Sequence, residues 1–379
     1  MEEGLEPTLA IADNGRSEEF TGEPELLAAP LQKKNTVYEK IARWCVVAAM
    51  FLVPLFFLPW TTGILELNKQ ALLTVAAGAG LVFWILHVII SGQLSFRRST
   101  VNWGVLAFLG ATALATVFSL ARFKSLFGLT TSLSDSLITV SNLTILYFLT
   151  VNLFSGGRKL KLALSASLWL ALLFGLLQMF GVYIFKYLNF LNLSFASSRA
   201  FDTVGSLNAL GMAAALGLAL FGKGSADKGH LLKWMNVSGA AASIIVLAIL
   251  NWWVLWVAAI AGMVAIIFVS EFQQNQRSQV SKFQSFRVSK FLFPMTVIVL
   301  AVFLIIVNFN FSFVKKNFPV EVGPSFGLAG KVTKSVLSES PILGYGPENF
   351  SLAFDRFGAG SLAGSSLSGL KFFDATSEI

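Results

Sequence analysis

A chain of 379 residues that is 55% hydrophobic and only 13% charged, with a mean hydropathy of +0.72, carries too little charged surface for a soluble domain. Its net charge of +8 does not point to nucleic acid, because eight of its acids fall in the first 25 residues and the remaining basic excess is spread over short loops. Cys45 is the only cysteine, which excludes an intrachain disulfide or a cysteine metal site, and His87 and His230 are too far apart for a zinc motif.

Residues 1–36 are acidic and polar and contain Pro7, Pro24 and Pro30, the composition of a disordered tail. No basic n-region precedes a cleavable apolar run, so the first apolar segment is expected to be an uncleaved anchor rather than a signal peptide. Apolar runs then recur at about 44–60, 70–91, 102–121, 135–155, 162–182, 204–222, 235–250, 252–270 and 291–310. Each approaches the length needed to cross about 30 Å of hydrocarbon, and no alternating ten-residue pattern suggests a barrel. The expected fold is therefore all-α, a polytopic transmembrane bundle of about nine spans over 37–310. Spans seven and eight meet at Asn251, which places Trp252, Trp253 and Trp256 at one interface as an aromatic belt. Span six carries Gly211 and Ala215, and Ala213 and Gly217, small residues that let helices approach closely.

Lys and Arg set the expected orientation. Sixteen of them fall in the loops on the N-terminal side, against Lys69, Arg122, Lys124, Lys186 and Arg199 on the other. This bias puts the N-terminus in the cytoplasm and residues 311–379 outside. That last segment is richer in Gly, Ser and Pro, and the chain stops at Ile379 in what reads as the start of a further helix (DATSEI), as a C-terminally truncated protein would.

The five basic residues on the sparse side are the exceptions that invite chemistry. An outward cation is either a snorkelling interfacial side chain or an anion ligand. Arg199 sits within YIFKYLNFLNLSFASSRAFDTVGSLNALG (183–211), between two long spans and beside Asp202. A guanidinium grips phosphate oxygens in pairs, where Lys acts as a point charge. Arg199 is thus the leading candidate to hold a diphosphate, with Arg122 as a second arm and Lys124 and Lys186 completing the set. Lys315 and Lys316 fall on the same side. Glu66 and Lys69 are placed to pair with each other, and His87 reads as a packed interface histidine rather than a proton relay. Asp202, Glu348 and Asp355 are the outward carboxylates able to serve as a base.

Three stretches resemble the O-antigen ligase and polymerase-like family of bacterial membrane glycosyltransferases. RAFDTVGSLNALG leads into a small-residue helix, with Gly205 and Ser206-Leu207-Asn208 where the family carries a glycine and Asn-Pro-Asn or similar. Pro341, Gly344, Gly346, Pro347 and Phe350 are similar to the family's P-x-x-G-x-G-P-x-x-F. Glu66 and Lys69, SFRR at 95–98 and SLFG at 125–128 form the third, weaker pattern. The resemblance implies a GT-C-like, multi-pass enzyme of the plasma (inner) membrane. Its glycan donor would be undecaprenyl diphosphate, its acceptor a lipid, a glycan or a protein, and it would need no cofactor and no metal. Family arginines in outward loops hold the diphosphate, and Arg199 matches one by position. The family's His-Asn pair, with the histidine as base, falls on Thr376-Ser377, a departure that leaves the base unassigned. Ligase and polymerase both remain open, as do a transporter of polyprenyl-linked sugars and a non-catalytic relative. In Gly344 and Gly346 the residues themselves favour a tight loop with Pro347 over a phosphate cradle.

Overall fold

A computed structural model describes residues 36–61, 65–92, 94, 96–128, 135–187, 194–222, 229–278, 289–307, 323–364 and 367–373, all within one compact unit. Residues 1–35, Lys315, Lys316 and Thr376-Ser377 lie outside the described residues.

The described residues are helical, with no strand among them. In chain order the helices are α1 (Val37–Leu52), α2 (Glu66–Ser91), α3 (Thr100–Val117), the short α4 (Arg122–Phe127), α5 (Leu137–Leu153) and α6 (Arg158–Met179). They continue as α7 (Leu207–Gly222), α8 (His230–Leu250), α9 (Trp253–Ser278), α10 (Ser289–Val307), α11 (Phe326–Glu339) and α12 (Phe350–Phe357). Five contain stretches long and apolar enough to cross a membrane: α2, α3, α6, α8 and residues Trp253–Ser270 of α9. Helices α5 and α7 and the stretch Phe291–Val307 are apolar but shorter, and α1 falls in neither group. Helix length therefore supports a membrane protein without reaching the expected nine spans.

The first span is shifted from its expected place. Thr36 caps α1 by accepting the Glu39 amide at 3.2 Å, so the helix starts among charged residues and ends before Pro54 and Pro59. Ala42, Val46 and Ala49 of α1 are buried, as are Ala76, Ala77 and Gly80 of α2, and the two helices pack along these small side chains. A Cβ on Gly80 would stand 2.8 Å from Leu149 Cδ1, so a larger residue there would push the Leu149 side chain of α5 aside.

The second half of the bundle packs on α7, as the small-residue face of span six predicts. Gly211, Ala215 and Gly217 are buried against neighbouring helices, and a Cβ on Gly211 would lie 2.4 Å from Leu255 Cδ1. Leu172, Leu210, Leu218, Phe221, Leu247 and Trp256 complete this core. Trp256 is therefore not a belt residue: it is fully buried and donates its indole N–H to Asn251 Oδ1 at 3.0 Å. Trp253 is exposed, in keeping with the belt.

Polar side chains bridge helices inside the apolar layer. Asn142 bonds Thr74 Oγ1 at 2.7 Å, the Tyr147 hydroxyl bonds Asn102 Oδ1 at 2.9 Å, and the Trp169 indole bonds Ser238 Oγ at 2.8 Å. Each such bond is worth about 0.6–2 kcal/mol in a membrane bundle.

These contacts sort the helix ends into two faces. On the proximal face the Thr36 hydroxyl lies 2.7 Å from His87 Nδ1, and Arg97 reaches Asn152 Oδ1 and Phe154 O, so the starts of α1 and α3 meet the ends of α2 and α5. His87 packs there beside buried Glu39, which pairs with Arg43 at 2.5 Å. On the distal face the start of α2, the end of α3, the start of α5, the end of α6 and the start of α7 come together with α4, α11 and α12.

Candidate functional site

The distal face gathers every candidate site residue among those described. Its first group forms where α6 hands over to α7. Helix α6 ends at Met179, and Gly181, with a φ of +83°, then turns the chain sharply. The turn Ile184–Tyr187 and the segment leading to α7 then rest on one aromatic cluster. Phe57 and Phe174 each hold both Phe185 and Phe201, with ring centroids 5.3–6.0 Å apart. Lys186, adjoining Phe185, and Arg199, two residues before Phe201, thus hang from the same cluster. Buried Gln178 fixes the intervening chain by donating to Ala196 O at 3.0 Å.

Arg199 is half-buried, and its guanidinium lies over Gly181, where a Cβ would come within 3.4 Å of Nη2. Among the described residues it has no hydrogen-bond or ion-pair partner. Lys186 and Arg122 are exposed, and they too lack a side-chain partner among the described residues.

Asp202 is 2% exposed and serves the loop itself. Its Oδ1 accepts the amides of Val204 and Gly205, both at 2.7 Å, closing the turn that delivers Ser206 as the cap of α7. Lys69, from the first turn of α2, donates to Thr203 O and Val204 O at 2.5 Å, and the charges of both Asp202 and Glu66 act on it. Gly205, at φ +147°, and Asn208, on the first turn of α7, are both exposed.

The second group joins the 341–350 motif to the end of α3. Gly344 (φ +58°) donates its amide to Ser340 O in the turn that follows α11, and Gly346 (φ +89°) lies so close to α3 that a Cβ would meet Ser119 Cβ at 2.6 Å and Ala115 O at 2.9 Å. Ser125 of α4 donates to Pro347 O at 2.7 Å, and Asn349 donates to Ser119 Oγ, Ser125 Oγ and Tyr345 O. Glu348, buried and at φ +62°, accepts the Asp135 amide at 3.0 Å. Lys124 donates to Ser351 Oγ at 2.7 Å, Pro341 is exposed, and Phe350 opens α12. Asp355 is exposed and pairs with Lys371 at 3.4 Å.

Lys69 and Gln70 connect the two groups. These consecutive residues of α2 point to different parts of the face, Lys69 to the Arg199 loop and Gln70 to Ser136 Oγ and Thr139 Oγ1 at 3.0 Å. Gln70, Ser119, Ser125 and Asn349 are absent from the expected site. Their only signal in the sequence is polarity at the ends of apolar runs.

Chemically, this face offers cations at the rim and carboxylates committed to backbone amides, as in Asp202 and Glu348, or to a lysine, as in Asp355. Among the described residues no three His, Cys, Asp or Glu side chains come together as metal ligands. Comparison of the chain with protein-family models, curated proteins and solved structures returned no match.

Proposed function

We propose that this chain is a membrane glycosyltransferase of the O-antigen ligase and polymerase type, of GT-C-like architecture. It moves a glycan from undecaprenyl diphosphate to an acceptor hydroxyl or amine at the outer face of the plasma membrane. In this reading all nine long helices cross the bilayer, the N-terminus is cytoplasmic, and the distal face is the outer one. The bond from the sugar to the diphosphate breaks, a bond from the sugar to the acceptor forms, and the acceptor's proton passes to a base. The leaving group is a diphosphate, so its developing negative charge needs fixed positive charge more than it needs an acid.

The observation that carries the proposal is Arg199. A guanidinium at the lip of an apolar bundle, half-buried against Gly181 and without a partner among the described residues, is available to an anionic ligand. Lys186 on the same aromatic cluster, with Arg122 and Lys124 on α4, adds to that positive rim. Asp202 is better suited to shaping the Arg199 loop than to taking a proton, because its Oδ1 already serves two amides and the side chain is enclosed. Glu348 is the remaining candidate base of the pair, held by the strained turn that follows Gly346.

The test uses the full-length protein in vesicles supplied with an undecaprenyl-diphosphate glycan and lipid, glycan or protein acceptors. Glycan transfer is the expected result. Movement of the donor across the vesicle without transfer would make the chain a transporter and overturn the proposal.

A further inference from the structure

Helices α3 and α5 leave an apolar groove of about 440 Å³ between them, and no candidate site residue lines it. Val101, Gly104 and Phe108 face it from α3, and Val140, Leu143 and Tyr147 from α5, an i, i+3, i+7 stripe from each helix. A Cβ on Gly104 would meet nothing within 4 Å, so the middle of the α3 wall is left open. Helix α3 is long and apolar enough to cross a membrane, and only 11% of its span is buried by the rest of the chain. In a bilayer the groove therefore opens to lipid.

Its proximal end is cationic. Val101 lies at that end, next to Asn102, whose Oδ1 accepts the Tyr147 hydroxyl at 2.9 Å. Phe108 lies seven residues further along α3, about 10 Å deeper at the rise of an α-helix. Arg97 and Arg98 come just before Val101. Arg97 is tied to the end of α5, with its amide on Asn152 Oδ1 at 2.9 Å and its Nη1 on Phe154 O at 3.1 Å. Arg98 is exposed, and among the described residues it has no hydrogen-bond or ion-pair partner. Exposed Arg158 and Lys159 open α6, four and five residues after Phe154. The sequence has no Asp or Glu from 92 to 134 or from 136 to 201, so α3, α5 and the loops at their proximal ends carry no acid to neutralise these cations. Such a mouth attracts a phosphate with net negative charge and disfavours a head group that brings its own ammonium. The apolar stripe below it suits a hydrocarbon chain.

We infer that the α3–α5 groove holds a tail of one anionic phospholipid of the proximal leaflet, with Arg98 on its phosphate and Arg97 beside it. The inference rests on α3 crossing the bilayer and is independent of the proposed transfer reaction at the distal face.

The experiment purifies the full chain from bilayers containing equal phosphatidylglycerol, phosphatidylethanolamine and phosphatidylcholine, then reads retained lipid by native mass spectrometry. Wild type is expected to retain one phosphatidylglycerol with roughly tenfold preference over either zwitterionic lipid. Arg98→Gln should lower that preference about fivefold, the scale for one basic residue at an anionic lipid surface. Gly104→Trp, which fills the groove from α3, and Leu143→Trp, which fills it from α5, are expected to lose the lipid. Leu106→Trp, exposed on α3 and outside the groove, is expected to keep it. Equal retention of the three lipids, or no retained lipid, would overturn the inference. Retention by both groove-filling variants would reduce it to surface attraction by the basic loops and overturn it as well. So would a dimer abolished by Gly104→Trp, which would assign the groove to a second copy of the chain.

Discussion

Asn349 donates its side-chain amide to Ser119 Oγ at 2.7 Å, joining the 341–350 motif to the end of a helix 230 residues earlier in the chain. Ser119 and Ser125 also share a hydrogen bond at 2.6 Å, and the Ser125 hydroxyl goes on to Pro347 O. In this structure the glycine-rich motif thus acts as a clasp.

The clasp predicts that its two glycines respond differently to substitution. Gly346→Ala forces a Cβ against Ser119 and the Ala115 carbonyl while holding a positive φ, and is expected to cost about 3 kcal/mol or more. Gly344→Ala also meets a positive φ, but its Cβ finds open space apart from Val336 Cγ1 at 3.8 Å, so about 1–2 kcal/mol is expected. Thermal unfolding of the purified variants in detergent checks the order. Equal losses would show that the motif is not clamped on α3.

The same segment makes a prediction about pH. Tyr345 donates to Glu339 at 2.6 Å and accepts from Arg356 at 2.8 Å, while Arg356 pairs with Glu339 at 2.8 Å. Burial pushes the Tyr345 phenol above its ordinary value, and the hydrogen bond to Glu339 adds to that shift. Because the folded value is raised, the phenol's contribution to stability is complete below about pH 10 and is lost as pH climbs through the folded value. An alkaline titration of phenolate absorbance should show a late-ionising tyrosine that Tyr345→Phe removes. A variant spectrum lacking only an ordinary tyrosine would refute it.

The membrane class was legible in the sequence because apolar length is a direct requirement of the bilayer, and the face of α7 was legible because close packing demands small residues. The first helix was misplaced for an equally physical reason. Hydropathy marks the apolar run up to Trp60, but Thr36 and the prolines at 54 and 59 decide where the backbone coils. Trp256 was misread because an aromatic residue at a span end satisfies the belt pattern whether it faces lipid or core. The Lys69 and Asn349 contacts were not legible at all. Each joins residues more than a hundred positions apart, and no local pattern encodes such a pairing.

Lys69 is expected to be a structural cation rather than a ligand for substrate. Lys69→Met removes the donor to Thr203 O and Val204 O and deprives buried Asp202 of a counter-charge, a loss on the order of 3 kcal/mol. Asp202→Asn keeps an oxygen for the Val204 and Gly205 amides while removing the charge. Added to Lys69→Met, it should restore part of the lost stability, as a double-mutant cycle measures. Strict additivity of the two substitutions would separate Lys69 from Asp202 energetically.

Arg199 should behave in the opposite way. Its guanidinium has no partner among the described residues, so Arg199→Ala is expected to shift unfolding stability by no more than about 0.5 kcal/mol. Glycan transfer from the diphosphate donor should nevertheless fall by about 100-fold or more, the scale seen when one electrostatic stabiliser is removed from a reacting centre. Arg199→Lys retains the charge but not the paired donors, and an intermediate rate is expected if phosphate oxygens are gripped in pairs. Measuring transfer and unfolding on the same preparations separates the outcomes. A large stability loss in Arg199→Ala would make the residue part of the scaffold, and full activity in it would place the anion grip elsewhere on the distal face.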